Sequence, residues 1–314
     1  MSVNIGIHIP AAFPDTPPDT GQYKDFFQTA ESLGFHSLWT EDRIFHSSNF
    51  LDSTTLMTWA AAVTGSIQLG TAVLVLALRN APLLARQLST LDHLSAGRIH
   101  LGISIGGSPA EYLGMGLPMN SRISLLRENI SVLRELMTGE PVTHSGQFYK
   151  LENAIVRPAA VRPPGIPIYM GGQADSALLR AGELTDGWIQ SPFASPDEFR
   201  KSWTIVRQGA EKAGKDPSQL QYGKLIYASV DDNPDSAYDA MGNFLRGYYG
   251  DRADVRRMSA VGTPEQVVTH LRKFADAGVE TFMLGVPNLD VGHLERIAKE
   301  VVPELTQKTL RRIK

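Results

Sequence analysis

The stretch from Ile67 to Gly107, IQLGTAVLVLALRNAPLLARQLSTLDHLSAGRIHLGISIGG, limits what this chain can fold into more than any other. It opens on a continuously apolar run, Ile67 to Leu76, with no side left for water, which is the pattern of a strand covered on both faces. Asn80 and Pro82 then stand where a helix begins, Leu84, Leu88 and Leu91 recur at helical spacing, and Gly97 ends the pattern. A second buried strand, Arg98 to Ser104, runs into Gly106 and Gly107. Parallel neighbours cannot be joined by a tight turn, so a strand, a crossover helix and a strand read as the unit of a parallel sheet. Both strands end in small residues, which lets a flat ligand lie against the backbone there.

The same alternation runs along the rest of the chain. Val3 to Ile9 reads as a first strand, and Tyr23, Phe26, Phe27, Ala30 and Leu33 trace one face of a helix that Gly34 stops. Phe35 to Thr40 is the second strand, with Glu41, Asp42, Arg43 and His46 at its exit, and Thr54 to Val63 is the next helix. Beyond Gly107 comes an irregular segment, SPAEYLGMGLPMN, then a helix with Ile123, Leu126, Ile130, Leu133 and Met137 on one side. Residues 141–156 read as a two-stranded excursion turning at Ser145-Gly146, and the four prolines of 157–167 as a rigid loop. Further strands follow at Ile168 to Met170, Asp186 to Gln190, Tyr222 to Val230 and Glu280 to Leu284. The helices between them start at Ala174, at the capping segment Ser195-Pro196-Asp197-Glu198, at Asn233-Pro234-Asp235 and at Thr263-Pro264-Glu265-Gln266, and a last one covers Leu289 to Leu310. The charged, tyrosine-rich segment from Tyr248 to Arg257 has no period and reads as a flexible insertion that acts as a lid. Eight strands alternating with helices predict a closed (β/α)8 barrel, not an open doubly wound sheet. The expectation is one barrel domain over 1–314, with excursions near 105–120, 141–166 and 248–262.

A length of 314 residues fits two average domains or one barrel, and the alternation decides for the barrel. The net charge of -3 comes from 30 basic and 33 acidic residues mixed along the chain, with no basic patch for nucleic acid. Cysteine is absent, which removes disulfides, thiolate metal sites and a cysteine nucleophile together. No signal-peptide pattern and no apolar run near the ~20 residues that span a bilayer occur, so a soluble cytoplasmic protein is expected. No histidine cluster suggests a metal. GISIGG at 102–107 has the outline of a dinucleotide turn but lacks the helix directly after it and the acid further on. Lys224 is the only lysine inside a predicted core strand, and it reads as a solvent-facing end, which argues against Schiff-base chemistry.

On these residues the chain resembles the bacterial luciferase-like superfamily, the flavin- and deazaflavin-dependent barrel oxidoreductases. The resemblance is carried by LGTAVLVLALRNAPLLARQLSTLDHLSAGRIHLGISIGG, by the acid and tyrosine after Ala110, and by GQFYKL at 146–151. IPIYMGGQADSALLRAGELTDGWI at 166–189 and VGTPEQVVTHLRKFADAGVETFML at 261–284 extend it, in order, over nearly the whole chain. The resemblance implies a flavin at the C-terminal mouth of the barrel, its ring against the end of the third strand, where a non-proline cis peptide would join Ala72 and Val73. It places the cofactor phosphate at Gly171, Gly172, Gln173 and Ala174, adds Met170 before them as a cofactor-binding residue, and sets Ser104, Ile105 and Gly106 along the other flank. The residues themselves agree for the phosphate: two glycines between a strand and a helix offer backbone N–H groups and a positive dipole end, although a tight turn also needs them.

By the same resemblance the activity is a monooxygenase reaction using reduced FMN and dioxygen on a small, partly hydrophobic substrate, with a flavin reductase as supplier and a homodimer as the assembly. The alternatives are F-420-dependent hydride transfer and a flavin-binding protein without turnover. In each case the cofactor carries the hard chemistry, and the protein adds orientation, a dry pocket and an acid or base. Asp42, at a strand end, is the first candidate, and Arg43 stands where many relatives have a histidine. That departure leaves His46 and His8 as the imidazoles near the mouth, Glu111 as an acid matching one common in the family, and Arg43 and Arg79 as contacts for substrate.

Overall fold

A computed structural model describes residues 3–13 and 16–306. Eight parallel strands form the central barrel: β1 (Asn4–His8), β2 (Ser37–Thr40), β3 (Gln68–Val75), β4 (Ile99–Ser104), β5 (Ile168–Gly171), β6 (Gly187–Gln190), β7 (Gln221–Val230) and β8 (Thr281–Gly285). Each pairs with the next in chain order, and β8 returns to β1 with Thr281 opposite Asn4, which closes the sheet on itself. Closure leaves two places for apolar side chains. One set fills the barrel: Trp39, Ala72, Tyr169, Ile189, Leu225 and Met283, each from a different strand. A far larger set lies between strands and helices, where alternate residues of every strand meet the inner faces of the surrounding helices.

The helices begin where their caps predict. In α1 (Thr20–Ser32) Asp19 and Gln22 form a reciprocal cap and Tyr23, Phe26, Phe27 and Ala30 turn inward. Helices α2 (Ser53–Val63) and α3 (Ala81–Leu94) follow, capped by Asp52 and Asn80. The segment after Gly107, expected to be irregular, holds a short helix, α4 (Pro109–Gly114), capped by Ser108. Its six residues are too few to show a period. Next come α5 (Arg122–Leu136), α6 (Asp175–Leu184), α7 (Pro196–Lys212) and α8 (Pro234–Tyr249). The expected excursion is an antiparallel hairpin of Val142–Ser145 and Lys150–Ala154.

Two further expectations need correction. The segment from Tyr248 to Arg257 is not a flexible insertion. Helix α8 runs through Tyr249, a 3-10 turn covers Gly250–Arg252, and a short helix, α9 (Val255–Met258), is capped by Asp254. It leads into an unforeseen strand, Ser259–Gly262, which pairs with the far half of β7 from Tyr227 to Val230. Lys224 is also not a solvent-facing end, for it is fully buried. Leu225 points into the barrel, so Lys224 points outward, and outward in a barrel means into the layer beneath the helices. Helix α10 (Pro264–Ala277) covers that side, and the chain then runs through α11 (Val291–Arg296) and a π turn to Thr306. The rest of the predicted last helix lies outside the described residues.

Candidate functional site

The C-terminal ends of the strands surround a cavity of about 620 Å³. Its first wall is the end of β3. The Ala72-Val73 peptide is cis, and the pairing of β3 with β4 slips between Thr71 and Leu74, so the strand bulges toward the opening. Beside it stands the exit of β4, where Ser104, Ile105, Gly106, Gly107 and Ser108 line the space. Gly106 has a φ of 71°, a conformation that favours glycine, and a Cβ there would come 2.6 Å from Val75 Cγ1. Tyr112 Oη donates to the Ile105 carbonyl at 2.6 Å and holds this loop in place.

The third wall is the turn from β5 into α6. Gly171, Gly172 and Gln173 line the cavity, and Ala174 is the N-cap of α6 with no side-chain cap. The first N–H groups of that helix are therefore left for water or an anion. Gln173 Nε2 donates to Ser191 Oγ at 2.6 Å, and Trp188 Nε1 to the Gly172 carbonyl at 3.1 Å, which pins the turn. Ile189 and Leu225 form the apolar floor. The fourth wall comes from the end of α8, where Tyr248 and Tyr249 reach in. Tyr249 Oη lies 2.9 Å from Tyr227 Oη, and Tyr248 is hydrogen-bonded to Arg43. Burial holds all three phenols up, and the nearby charge of Glu41 adds to it.

The titratable groups divide into tied and available ones. Asp42 is tied: its oxygens accept from Arg79 at 2.6 Å, the Val75 N–H at 3.0 Å and Ser53 Oγ at 3.2 Å. Burial pushes its carboxyl up, and Arg79 pulls against that. Glu111 is almost fully buried. One of its oxygens accepts the Ile44 N–H at 3.0 Å, while the other lies 4.0 Å from Arg43. Glu41 lines the cavity, with Oε2 2.9 Å from His8 Nε2, a charge contact without the alignment of a hydrogen bond.

Of the residues singled out in the sequence, Asp42, Arg43, Ala72, Val73, Ser104, Ile105, Gly106, Gly171, Gly172 and Gln173 meet on the cavity wall. The others do not line it. Met170 is packed in the layer beneath the helices, and Ala174 sits one step behind the wall as a cap. Arg79 stands behind Asp42, held by Asp42 and Asp52, and His8 stands behind Glu41. His46 stacks on Tyr248 at 5.5 Å and takes a hydrogen bond from the Ser48 N–H, away from the cavity. Glu111 lies under the backbone of Ile44. Phe193, Tyr248, Tyr249 and Arg252 are also on the wall: the sequence assigns Phe193, in a loop, no role, and includes Tyr248, Tyr249 and Arg252 only as part of the 248–257 segment expected to act as a lid, since that segment has no apolar period to place single side chains. Sequence reasoning noted Glu41 and gave it no role. Its one usable signal was its position at the end of β2.

A closed parallel barrel whose mouth offers bare backbone on two sides, a bulged third strand and an uncapped helix start defines a class, the luciferase-type barrel oxidoreductases. The chain belongs to the luciferase-like monooxygenase family, whose model matches residues 2–254. Over 215 residues it is 32% identical to the 5,10-methylenetetrahydromethanopterin reductase of Methanolobus tindarius, a match covering 68% of this chain and 63% of that protein. Over 227 residues it is 31% identical to the F-420-dependent glucose-6-phosphate dehydrogenase of Kineococcus radiotolerans, covering 70% of this chain and 67% of that one. Two solved structures share the fold over nearly their full length. An F-420-dependent secondary alcohol dehydrogenase with an F-420-acetone adduct has a TM-score of 0.84, with 22% identity and coverage of 97% and 99%. A type II Baeyer-Villiger monooxygenase from Pseudomonas putida with FMN has a TM-score of 0.80, with 19% identity and coverage of 96% and 99%. Among the described residues no helix is long and apolar enough to cross a membrane.

Proposed function

We propose that this chain is an oxidoreductase that moves a hydride between deazaflavin F-420 and a small, partly apolar alcohol or carbonyl compound. The observation that carries it is that Ala72-Val73, Gly106 and Gly171 line one cavity, which offers a flat ring peptide backbone and small side chains to lie against. An unfilled cap on α6 beside that cavity fits a phosphate. The names of two F-420-dependent relatives that share about 30% of their aligned positions favour the deazaflavin over FMN.

When bound, the deazaflavin supplies a two-electron carrier that exchanges a hydride without dioxygen. The chain supplies the rest. The N–H groups at 172–175 would hold the phosphate, and Ala72 and Val73 would present an apolar seat. Tyr248, Tyr249 and Phe193 keep water from the mouth. Oxidation of an alcohol releases a proton along with the hydride, and Glu41, on the wall, takes it up with His8 behind it to share the charge. Asp42, already tied by three donors, keeps the end of β3 in register with β2.

The test is a titration of the apoprotein with F-420 and with FMN, followed by absorbance, then turnover of Glu41→Gln. The expected result is F-420 binding unchanged by the substitution and a kcat lower by roughly 10²- to 10⁴-fold, the range for a lost general acid or base. Binding of neither cofactor overturns the proposal. Binding of FMN alone, with substrate-dependent oxygen uptake, establishes instead the second reading, an FMN monooxygenase that needs a reductase partner. The homodimer implied by the resemblance is checked by light scattering.

A further inference from the structure

Two cavities meet across one arginine. The main cavity shares Phe193 and Arg252 with a second hollow, also of about 620 Å³, to which Arg246 and Arg257 are added. The carboxylates inside the main cavity are matched, Glu41 by His8 and Asp42 by Arg79. The arginines at the junction are not matched in this way. Among the described residues Arg246 reaches only a neutral amide oxygen, Asn243 Oδ1, at 2.7 Å. Arg257 donates to the Phe193 carbonyl and makes a long, solvent-screened ion pair with Glu198 at 3.8 Å, both side chains more than half exposed. Arg252 makes no ion pair among the described residues. Two acids share the hollow, Asp251 and Asp254, and Asp254 already accepts the Arg257 N–H to cap α9. The spare charge at the junction is therefore positive, carried by planar forks whose geometry suits a phosphate or carboxylate.

We propose that this junction is an anion subsite: the molecule in the main cavity carries a phosphate or carboxylate that passes Phe193 and is bound by Arg252, with Arg246 and Arg257 on either side. The inference rests on the function proposed above only in placing a ligand in the main cavity. The same chemistry has two sources, a charged tail of the cofactor or an anionic group on the substrate, and one set of titrations separates them.

Phenyl phosphate and inorganic phosphate are titrated at low salt into the protein with and without F-420, and F-420 is compared with its tail-less deazaflavin on wild type, Arg252→Ala and Arg252→Lys. If the substrate supplies the anion, phenyl phosphate binds the F-420-loaded protein, and Arg252→Ala weakens it about tenfold or more, as for a lost charge-assisted bond, while Arg252→Lys keeps most of it. If the cofactor tail supplies it, F-420 displaces the phosphates, and Arg252→Ala weakens F-420 by a similar factor without touching the tail-less form. An Arg252→Ala effect within about twofold for every ligand overturns the proposal. Failure of the function proposal reads differently: neither cofactor binds wild type, while the phosphates still bind in an Arg252-dependent way.

Discussion

Lys224 has no contact with solvent. Its Nζ donates to the Ser191 carbonyl at 2.6 Å and lies 5.0 Å from the centre of the Phe274 ring. Burial pulls its pKa down to about 7, against a pull upward from Glu198. The folded state therefore holds the lysine proton less tightly than the unfolded chain does. Between about pH 7 and the ordinary lysine value the unfolded state binds more protons, so stability from this group rises with pH and is lowest below pH 7. Unfolding of wild type and Lys224→Met by urea across that range checks this. Wild type should gain on the variant with pH by up to roughly 1.4 kcal/mol per unit, and a constant difference would refute it. The site residues were legible to the same depth as this lysine. That Asp42 and Glu41 end a strand can be read from the apolar run before them. That Arg79, 37 positions on, consumes Asp42 and leaves Glu41 facing the cavity cannot, because such pairing is set only when β2 and β3 lie side by side.

At the scale of elements, carboxylates act as clasps on chain that would otherwise hang free. Glu128 on α5 accepts the N–H groups of Gln147, Phe148 and Tyr149, and so fastens the turn of the 142–154 hairpin to the barrel wall. Glu31 on α1 gathers Gly65, Ser66 and Ile67 in the same way before β3, and these bonds bring its carboxyl down to about 2 against the opposing effect of burial. Glu128→Ala should loosen the hairpin by about 1–3 kcal/mol, the cost of leaving such donors unmade. Amide exchange should speed up over 142–154 while β3 and β4 stay protected, and uniform loss of protection would show that the hairpin is not a separate unit. Helices and hairpin were legible because caps, turn residues and apolar period agree there. The end of α8 was not, since Tyr248 and Tyr249 are held by phenol and guanidinium partners across the mouth and follow no amphipathic stripe.

Taken whole, the molecule depends on how closely its helices approach one another as well as on the closed sheet. Helix α6 crosses α7 with glycine on each side: a Cβ on Gly182 would lie 1.9 Å from the Val206 carbonyl oxygen, and one on Gly209 would lie 2.1 Å from that of Leu179. Gly182→Ala should therefore destabilise by about 1–3 kcal/mol or more, despite alanine's better helix propensity, because backbone has to move apart. A denaturant midpoint at or above wild type would contradict this. The barrel itself was legible from eight alternations of strand and helix, a pattern with one common closed solution. The strand at Ser259–Gly262 was not, since it only prolongs the pairing along β7.

Eight of the nine tyrosines have phenols that burial holds above their ordinary range. The protein thus carries its own optical gauge of unfolding. On slow addition of alkali, the near-ultraviolet phenolate band of the native protein should stay small and then grow in one step as the barrel opens, with no dye or label added.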